Sequence, residues 1–245
     1  MNLLISIDDT DNIDSRGTGE IAELLAAGIA AHGWGTCGPV TRHQLLIHPD
    51  IAYTSHNSSM CFPAEIPREM LEQVTEYCCS TLAAESAPGS DPGLCVLAPE
   101  RLEKPEALME YGRKAKTIVI SKEEAYETAA ALGVHLSEHG GTGQGVIGAL
   151  AGAALRLTGN DGRFKGKLRI PSMNGSATVK EIRAFGVDVV KTMGGEVLRE
   201  SEAVQLGERM KMVLLDGKAV LLVVPTDNIS GPNWRTADKK TLKDY

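Results

Sequence analysis

Three aspartates fall within four positions near the start of the chain, in Ile7-Asp8-Asp9-Thr10-Asp11-Asn12. Like charges this close repel, and burial at a strand end raises the cost further. A divalent cation removes that cost, because hard cations such as magnesium take carboxylate oxygens. Asp8, Asp9 and Asp11 are therefore candidate metal ligands, and a solvated turn of ordinary turn residues is the alternative. Arg16-Gly17-Thr18-Gly19 follows. A helix N-terminus there would attract phosphate, with Thr18 as N-cap and Arg16 as a bidentate clamp. Arg16, Gly17, Thr18 and Gly19 are thus candidate nucleotide-binding residues. Metal ligands and phosphate donors in one loop suit metal-assisted phosphoryl transfer. No Gly-Lys-Ser/Thr follows the glycines, so this is not a P-loop.

These side chains need a strand before them and a helix after them. Leu3-Leu4-Ile5-Ser6-Ile7 reads as a buried strand, and Ile21 to Ile29 as a mostly buried helix. Leu45-Leu46-Ile47 and Met60-Cys61-Phe62 read as strands around the polar loop Tyr53-Thr54-Ser55-His56-Asn57-Ser58-Ser59. His56, Asn57 and Ser58 are candidate substrate-binding residues, against the commoner outcome of a plain surface loop. A helix is expected from Pro67 to about Ala84. Ser86-Ala87-Pro88-Gly89-Ser90-Asp91-Pro92-Gly93 is a breaker segment, and Leu94 to Leu97 a returning strand. Thr117 to Ile120 reads as a strand and Lys122 to Leu132 as a helix capped by Ser121.

Gly143, Gly145 and Gly148 fit G-x-G-x-x-G ahead of an Ala- and Leu-rich helix reaching about Leu157. A helix is expected before these glycines, and a dinucleotide fold would need a strand there. Either a ligand approaches this loop, making Gly143, Gln144 and Gly145 substrate-binding candidates, or the glycines serve tight packing. The remainder is β-rich: Val187 to Val190 reads as a strand, and Met210 to Val224 as a hairpin turning at Asp216-Gly217. Val223-Val224-Pro225-Thr226-Asp227-Asn228 echoes the opening strand with one acid, which reads as a shared turn type.

The chain has 245 residues, 42% hydrophobic and 23% charged, as expected of a globular protein with a real core. Aromatics at 4% and a net charge of −7 exclude a chain-wide basic, base-stacking surface. A small basic cluster, Arg235, Lys239, Lys240 and Lys243, reads as a solubilising tail. The five cysteines, with no Cys-x-x-Cys, fit reduced thiols better than disulfides or a zinc ribbon. No signal peptide or membrane span is expected, which makes the cytoplasm the expected location. His135 and His139, four apart, could share a helix face as zinc ligands, but no third ligand is evident.

The run Ile7 to Asp11, with Arg16-Gly17 and Thr18 after it, resembles the amino-terminal kinase-like domain of the tRNA isoleucine 2-agmatinylcytidine synthetase (agmatidine synthetase) family. Gly143-Gln144-Gly145-Val146-Ile147-Gly148-Ala149-Leu150-Ala151 resembles the stretch opening a helix in that family's ferredoxin-like domain. The resemblance covers roughly Met1 to Leu157. Members of the family use ATP and magnesium to phosphorylate a tRNA wobble cytidine, and agmatine then displaces the phosphate. The resemblance implies that Asp8, Asp9 and Asp11 hold metal and phosphate. It also implies that Asp8 and Thr18 are catalytic, Thr18 matching a threonine that autophosphorylates. This chain has Gly17-Thr18-Gly19-Glu20 where the family has a Cys-Thr-Thr-like stretch. It has Thr54 to Ser59 in place of a cationic loop. It is expected to lack the OB-fold and zinc ribbon that grip tRNA.

The expectation is an α+β protein with a kinase-like α/β domain at residues 1–112. A ferredoxin-like α+β domain with a β-rich C-terminal part follows at 113–245. The expected function is ATP- and magnesium-dependent phosphoryl transfer or ligation on a small-molecule acceptor. The alternatives are a non-catalytic nucleotide-binding regulator, and a tRNA-modifying subunit that borrows its grip from a partner chain. A hydrolase or ligand-binding protein built on His56, His135 or His139 is a further one.

Overall fold

A computed structural model describes all residues except 52, 54, 55, 173, 227–230, 239, 243 and 244. Thr54 and Ser55 of the polar loop, Asp227-Asn228, and Lys239 and Lys243 therefore lie outside the described residues. The chain divides into two compact units, Met1–Thr158 and Gly159–Tyr245.

The first unit runs β1 (Asn2–Asp8), α1 (Thr18–Ala31), β2 (Thr36–Cys37), β3 (Thr41–Gln44), β4 (Ser58–Glu65), α2 (Leu71–Glu85) and β5 (Gly93–Leu97). It continues with α3 (Pro105–Lys114), α4 (Lys122–Leu132), β6 (His135–Glu138) and α5 (Gly145–Leu157). Its strands lie in the order β6-β5-β1-β4-β3, with β2 also on β4. Every one of these pairings is antiparallel. The expected boundary at 112/113 falls inside α3 and not between the two units.

Side-chain alternation along β1 builds two cores. Leu3, Ile5 and Ile7 pack with Ile21, Leu25 and Ile29 of α1 and Val74, Cys78 and Leu82 of α2. Leu4 points the other way, into a core with Leu108 of α3, Ala125 of α4 and Ala149, Leu150 and Ala153 of α5. Ser6 and Asp8 share that second face, and α5 lies close over them. A Cβ at Gly152 would fall 2.5 Å from Ser6 Oγ and 2.4 Å from Ser59 Oγ; one at Gly148 would fall 1.7 Å from Asp8 Oδ2. Two of the glycines thus seat α5 against β1 and β4.

Three expected elements differ. Thr117 to Ile120 is no strand: the N–H groups of Thr117 and Ile118 both donate to Lys114 O, prolonging the end of α3 as turns. Ile118 and Val119 face solvent, so β-propensity has no sheet to act on there. Leu45 to Ile47 lies just past β3, where Leu45 N–H donates to Asn57 O and Leu46 N–H leaves the ladder for Ala115 O. His135 to Glu138 is the edge strand β6, so a strand does precede the glycines. It is antiparallel to β5, which still separates it from a dinucleotide-binding βαβ unit. Ser121 caps α4 as expected, accepting from Glu124 N–H at 3.2 Å.

The second unit contains β7 (Arg163–Phe164), β8 (Ser176–Thr178), α6 (Val179–Arg183), β9 (Val189–Thr192) and β10 (Ala203–Gln205). It ends with β11 (Val213–Leu215), β12 (Lys218–Pro225) and β13 (Trp234–Thr236). Strand order is β7-β11-β12-β13-β10-β8. β9 lies parallel on β12, and β10 is parallel to β13, so this sheet is mixed. The expected hairpin is β11–β12, turning at Asp216 and Gly217 with φ of 52° and 69°, as a type I′ turn requires. Ile182, Val190, Val204, Leu221 and Val223 centre one core, and Val213, Val220, Leu222 and Leu242 another.

Candidate active site

Sheet register gathers the site. Asp8 pairs with Gly93 across β1–β5, and Gly93 pairs with Glu138 across β5–β6. Ile7 pairs with Met60, which places Ser58 and Ser59 at the same end of β4. The acidic loop after β1, the Ser86–Pro92 turn, the glycine loop after β6 and the start of β4 therefore share one end of the sheet.

Asp8 ends β1 with its carboxyl beside Gly148. Burial, then the charges of Asp9 and Asp11, push it up to about 8; the Asp9 N–H it accepts opposes this only in part. Asp9 has φ of 52°, a left-handed conformation that aspartate tolerates better than most residues. Burial and the charges of Asp91 and Asp11 push Asp9 up to about 6. No cation figures among the causes at either carboxyl.

Asp91 is a fourth carboxylate that sequence reasoning missed, because its Ser/Pro/Gly neighbours mark only a turn. The one available signal is an acid placed two residues before a buried strand. Its carboxylate accepts from the Thr142 N–H and hydroxyl, both at 2.5 Å, and Gly145 N–H donates to its backbone carbonyl at 3.0 Å. Lys122 Nζ donates to Glu138 Oε2 at 3.0 Å and to Thr142 O at 2.9 Å, fastening the same loop. Gly143 and Gly145 are buried, where a Cβ would fall 1.5 Å from Glu138 Oε2 and 2.1 Å from Asp91 O respectively, and Gln144 is exposed at the loop tip.

At the phosphate end, α1 begins one residue earlier in its cap than expected. Gly17 is the N-cap, with no side-chain cap on the first-turn amides, and Thr18 is the first helical residue. The Thr18 hydroxyl is buried: it accepts from Thr10 N–H at 3.4 Å and donates to Asp11 Oδ1 at 3.3 Å. A hydroxyl engaged inward in this way cannot cap the helix. Gly19 is buried in the same turn. Arg16 pairs with Glu85 at the end of α2, and a phosphate would have to exchange for that partner. Thr10 Oγ1 is buried without a hydrogen-bond partner among the described residues.

The end of the polar loop, at Asn57 and Ser58, is tied down. Asn57 donates to Leu46 O at 2.6 Å, its carbonyl accepts from Gln44 Nε2 at 2.7 Å, and Ser58 Oγ accepts from Arg42 Nε at 2.9 Å. These contacts hold the β3–β4 connection. His56 is exposed beside it.

His135, Ser137 and His139 line one side of an extended segment, with Ser137 Oγ 3.0 Å and 2.8 Å from the two Nε2 atoms. The shared helix face expected of the histidines does not exist. Among the described residues, no three His, Cys, Asp or Glu side chains form a metal-holding group. All five cysteines are free thiols.

No protein-family model matches the chain, and no curated protein matches it in sequence. Solved structures do match in fold. One is apo TiaS, an agmatidine synthetase for an isoleucine tRNA, at 20% identity and TM-score 0.54, over 63% of this chain and 35% of that one. A tRNA fluorescent labeling enzyme matches at 23% identity and TM-score 0.55, over 63% of this chain and 36% of that one. TiaS bound to its isoleucine tRNA, AMPCPP and agmatine matches at 20% identity and TM-score 0.53, over 74% of this chain and 43% of that one. The match spans 35–43% of the length of these structures. Among the described residues, no helix is long and apolar enough to cross a membrane.

Proposed function

We propose that this chain is an ATP- and magnesium-dependent phosphoryl-transfer or ligase-type enzyme acting on a small-molecule acceptor. The observation that carries the reading is the meeting of Asp8, Asp9, Asp11 and Asp91 with the uncapped N-terminus of α1. The fold similarity supports it, since a TiaS structure of the same fold is a complex with an isoleucine tRNA and ATP. A kinase-like first part and a ferredoxin-like second part belong to this proposal.

The donor chemistry suits a hard cation, although among the described residues no three such side chains stand grouped as a preformed cage. The donor set is all carboxylate, and burial has raised Asp8 and Asp9 with no lysine or arginine to offset them. Asp8, Asp9 and Asp11 would hold magnesium, with Asp91 beside Asp9. When bound, magnesium would neutralise phosphate charge developing in transfer. The amides of Gly17, Thr18 and Gly19 would face the nucleotide phosphates, and Arg16 would leave Glu85 to clamp one. Asp8, held by α5, and Thr18, oriented by Asp11, are the proposed catalytic residues. The acceptor would meet His56, Asn57 and Ser58 on one side and the Gly143-Gln144-Gly145 loop on the other.

The test is calorimetric titration of ATP and GTP, with and without magnesium, on wild type and Asp9→Asn. Magnesium-dependent binding lost in a folded Asp9→Asn variant is the expected result. Absence of nucleotide binding to wild type overturns the reading. A second reading, a tRNA-modifying subunit that needs a tRNA-binding partner, is favoured by the tRNA in the similar complexes. It predicts ATP turnover that rises only when RNA and that partner are both supplied.

A further inference from the structure

Charge is divided unevenly along the chain. Residues 1–158 carry 10 lysines and arginines against 21 aspartates and glutamates, and residues 159–245 carry 15 against 11. The acidic total therefore conceals a basic second unit. Within that unit is a cavity of about 350 Å³. Lys165, Lys167 and Arg169 line it together with Phe164, Phe185 and Met212, and among the described residues none of its lining is acidic.

The backbone explains the arrangement. After β7 the chain runs antiparallel to residues 210–212, with Phe164 N–H donating to Met212 O at 2.9 Å and Leu168 N–H to Met210 O at 3.2 Å. The pairings of Arg163 with Val213 and of Leu168 with Met210 differ in register by two residues, so the chain bulges between them. Lys167 and Arg169 are exposed, Lys165 is half-buried, and Phe164 is buried while still lining the cavity. Gly166, at φ of 92°, makes the bend between Lys165 and Lys167, and Lys211 Nζ fastens its carbonyl. Phe185 follows α6 and is 44% exposed. An exposed aromatic ring in a chain with only three phenylalanines, placed beside three cations, is the pairing that receives a flat base and a phosphate.

We infer that the cavity of the second unit binds a nucleotide unit, its base against Phe185 and its phosphate among Lys165, Lys167 and Arg169. Free nucleotide and a residue of single-stranded RNA present the same chemistry. The inference uses residues of the second unit alone and is independent of the ATP reading.

The test is fluorescence anisotropy of a labelled twelve-residue oligouridylate over a salt series, with AMP and inorganic phosphate as competitors. Variants are Lys167→Ala/Arg169→Ala and Phe185→Ala, each checked for folding by thermal melting. The double cation variant is expected to weaken binding at least tenfold and to flatten the log–log salt slope by about 0.7, the value for one phosphate contact on a single strand. Phe185→Ala is expected to weaken binding about 5- to 150-fold with the slope unchanged. AMP competing as well as the oligomer, per nucleotide, identifies free nucleotide; competition by the oligomer alone identifies RNA. Binding indifferent to Phe185→Ala, or displaced equally by inorganic phosphate, overturns the inference. ATP turnover in both variants is expected to equal wild type, so failure here is distinguishable from failure of the site at α1.

Discussion

Gly148→Ala should change sign with its partner. A methyl at position 148 would meet Asp8 Oδ2 at 1.7 Å, Cγ at 2.6 Å and Cβ at 3.1 Å. The three nearest atoms thus all belong to one side chain. Asp8 ends a strand buried between α1 and α5, so it has little room to retreat, and overpacking of this kind costs about 1–3 kcal/mol. Alanine inside a helix is otherwise favoured over glycine by about 1 kcal/mol. Gly148→Ala should therefore destabilise the wild type by about 1 kcal/mol net. In an Asp8→Ala background the carboxylate is gone and only the 3.1 Å contact remains, so the same change should be neutral or stabilising. Guanidinium unfolding of the four proteins gives a coupling energy of about 2 kcal/mol if this holds. Equal destabilisation in both backgrounds would refute the claim that Gly148 exists to admit the Asp8 carboxyl.

Other perturbations follow from the same geometry. Asp8 is raised from an ordinary 3.8 to about 8, so the folded state binds the extra proton between those values. Stability in chelator should then be fully present below about pH 4 and be lost as pH rises toward about 8; Asp8→Asn should flatten that slope in urea titrations. Asp91→Ala removes both acceptors of Thr142, and limited proteolysis should then cut between Gly140 and Gln144 while the melting temperature falls only slightly. Burial pushes Cys37 up to about 11 and Cys61 up to about 12, and raises Cys78 and Cys95 still further. A disulfide reagent at about pH 8 should therefore react slowly with the native protein and promptly with all five thiols in denaturant.

The acidic loop is legible in the sequence because its chemistry is contiguous. Asp8, Asp9 and Asp11 declare themselves by repulsion, and the Leu3-to-Ile7 run shows that a buried strand carries them. Asp91 is not legible, because its place beside Asp9 depends on the β1–β5 register, a pairing across more than eighty residues of sequence. The cap of α1 lies one position from where the sequence points, because threonine is a good cap in isolation and only the fold turns its hydroxyl inward to Asp11. The four residues of the edge strand β6 carry no clear period of their own; β5 imposes their extended form. The basic cavity is hidden when net charge is averaged over the whole chain. The division at Thr158 is hidden for a related reason: α5 belongs to the sheet it covers and not to the β-rich sequence that follows it.

The seat of α5 on β1 has a further consequence for how such a chain can diverge. Two strand residues advance about 6.8 Å and four helical residues about 6 Å. Ser6 and Asp8 can therefore face Gly152 and Gly148 as two rulers with nearly equal graduations, read in opposite directions. Side chains elsewhere can be exchanged freely without disturbing that match. Loss or gain of one residue between Ser6 and Asp8 would turn the carboxylate to the opposite side of the sheet. Length in these two short stretches is thus constrained far more tightly than composition, and sequence identity is a poor gauge of it.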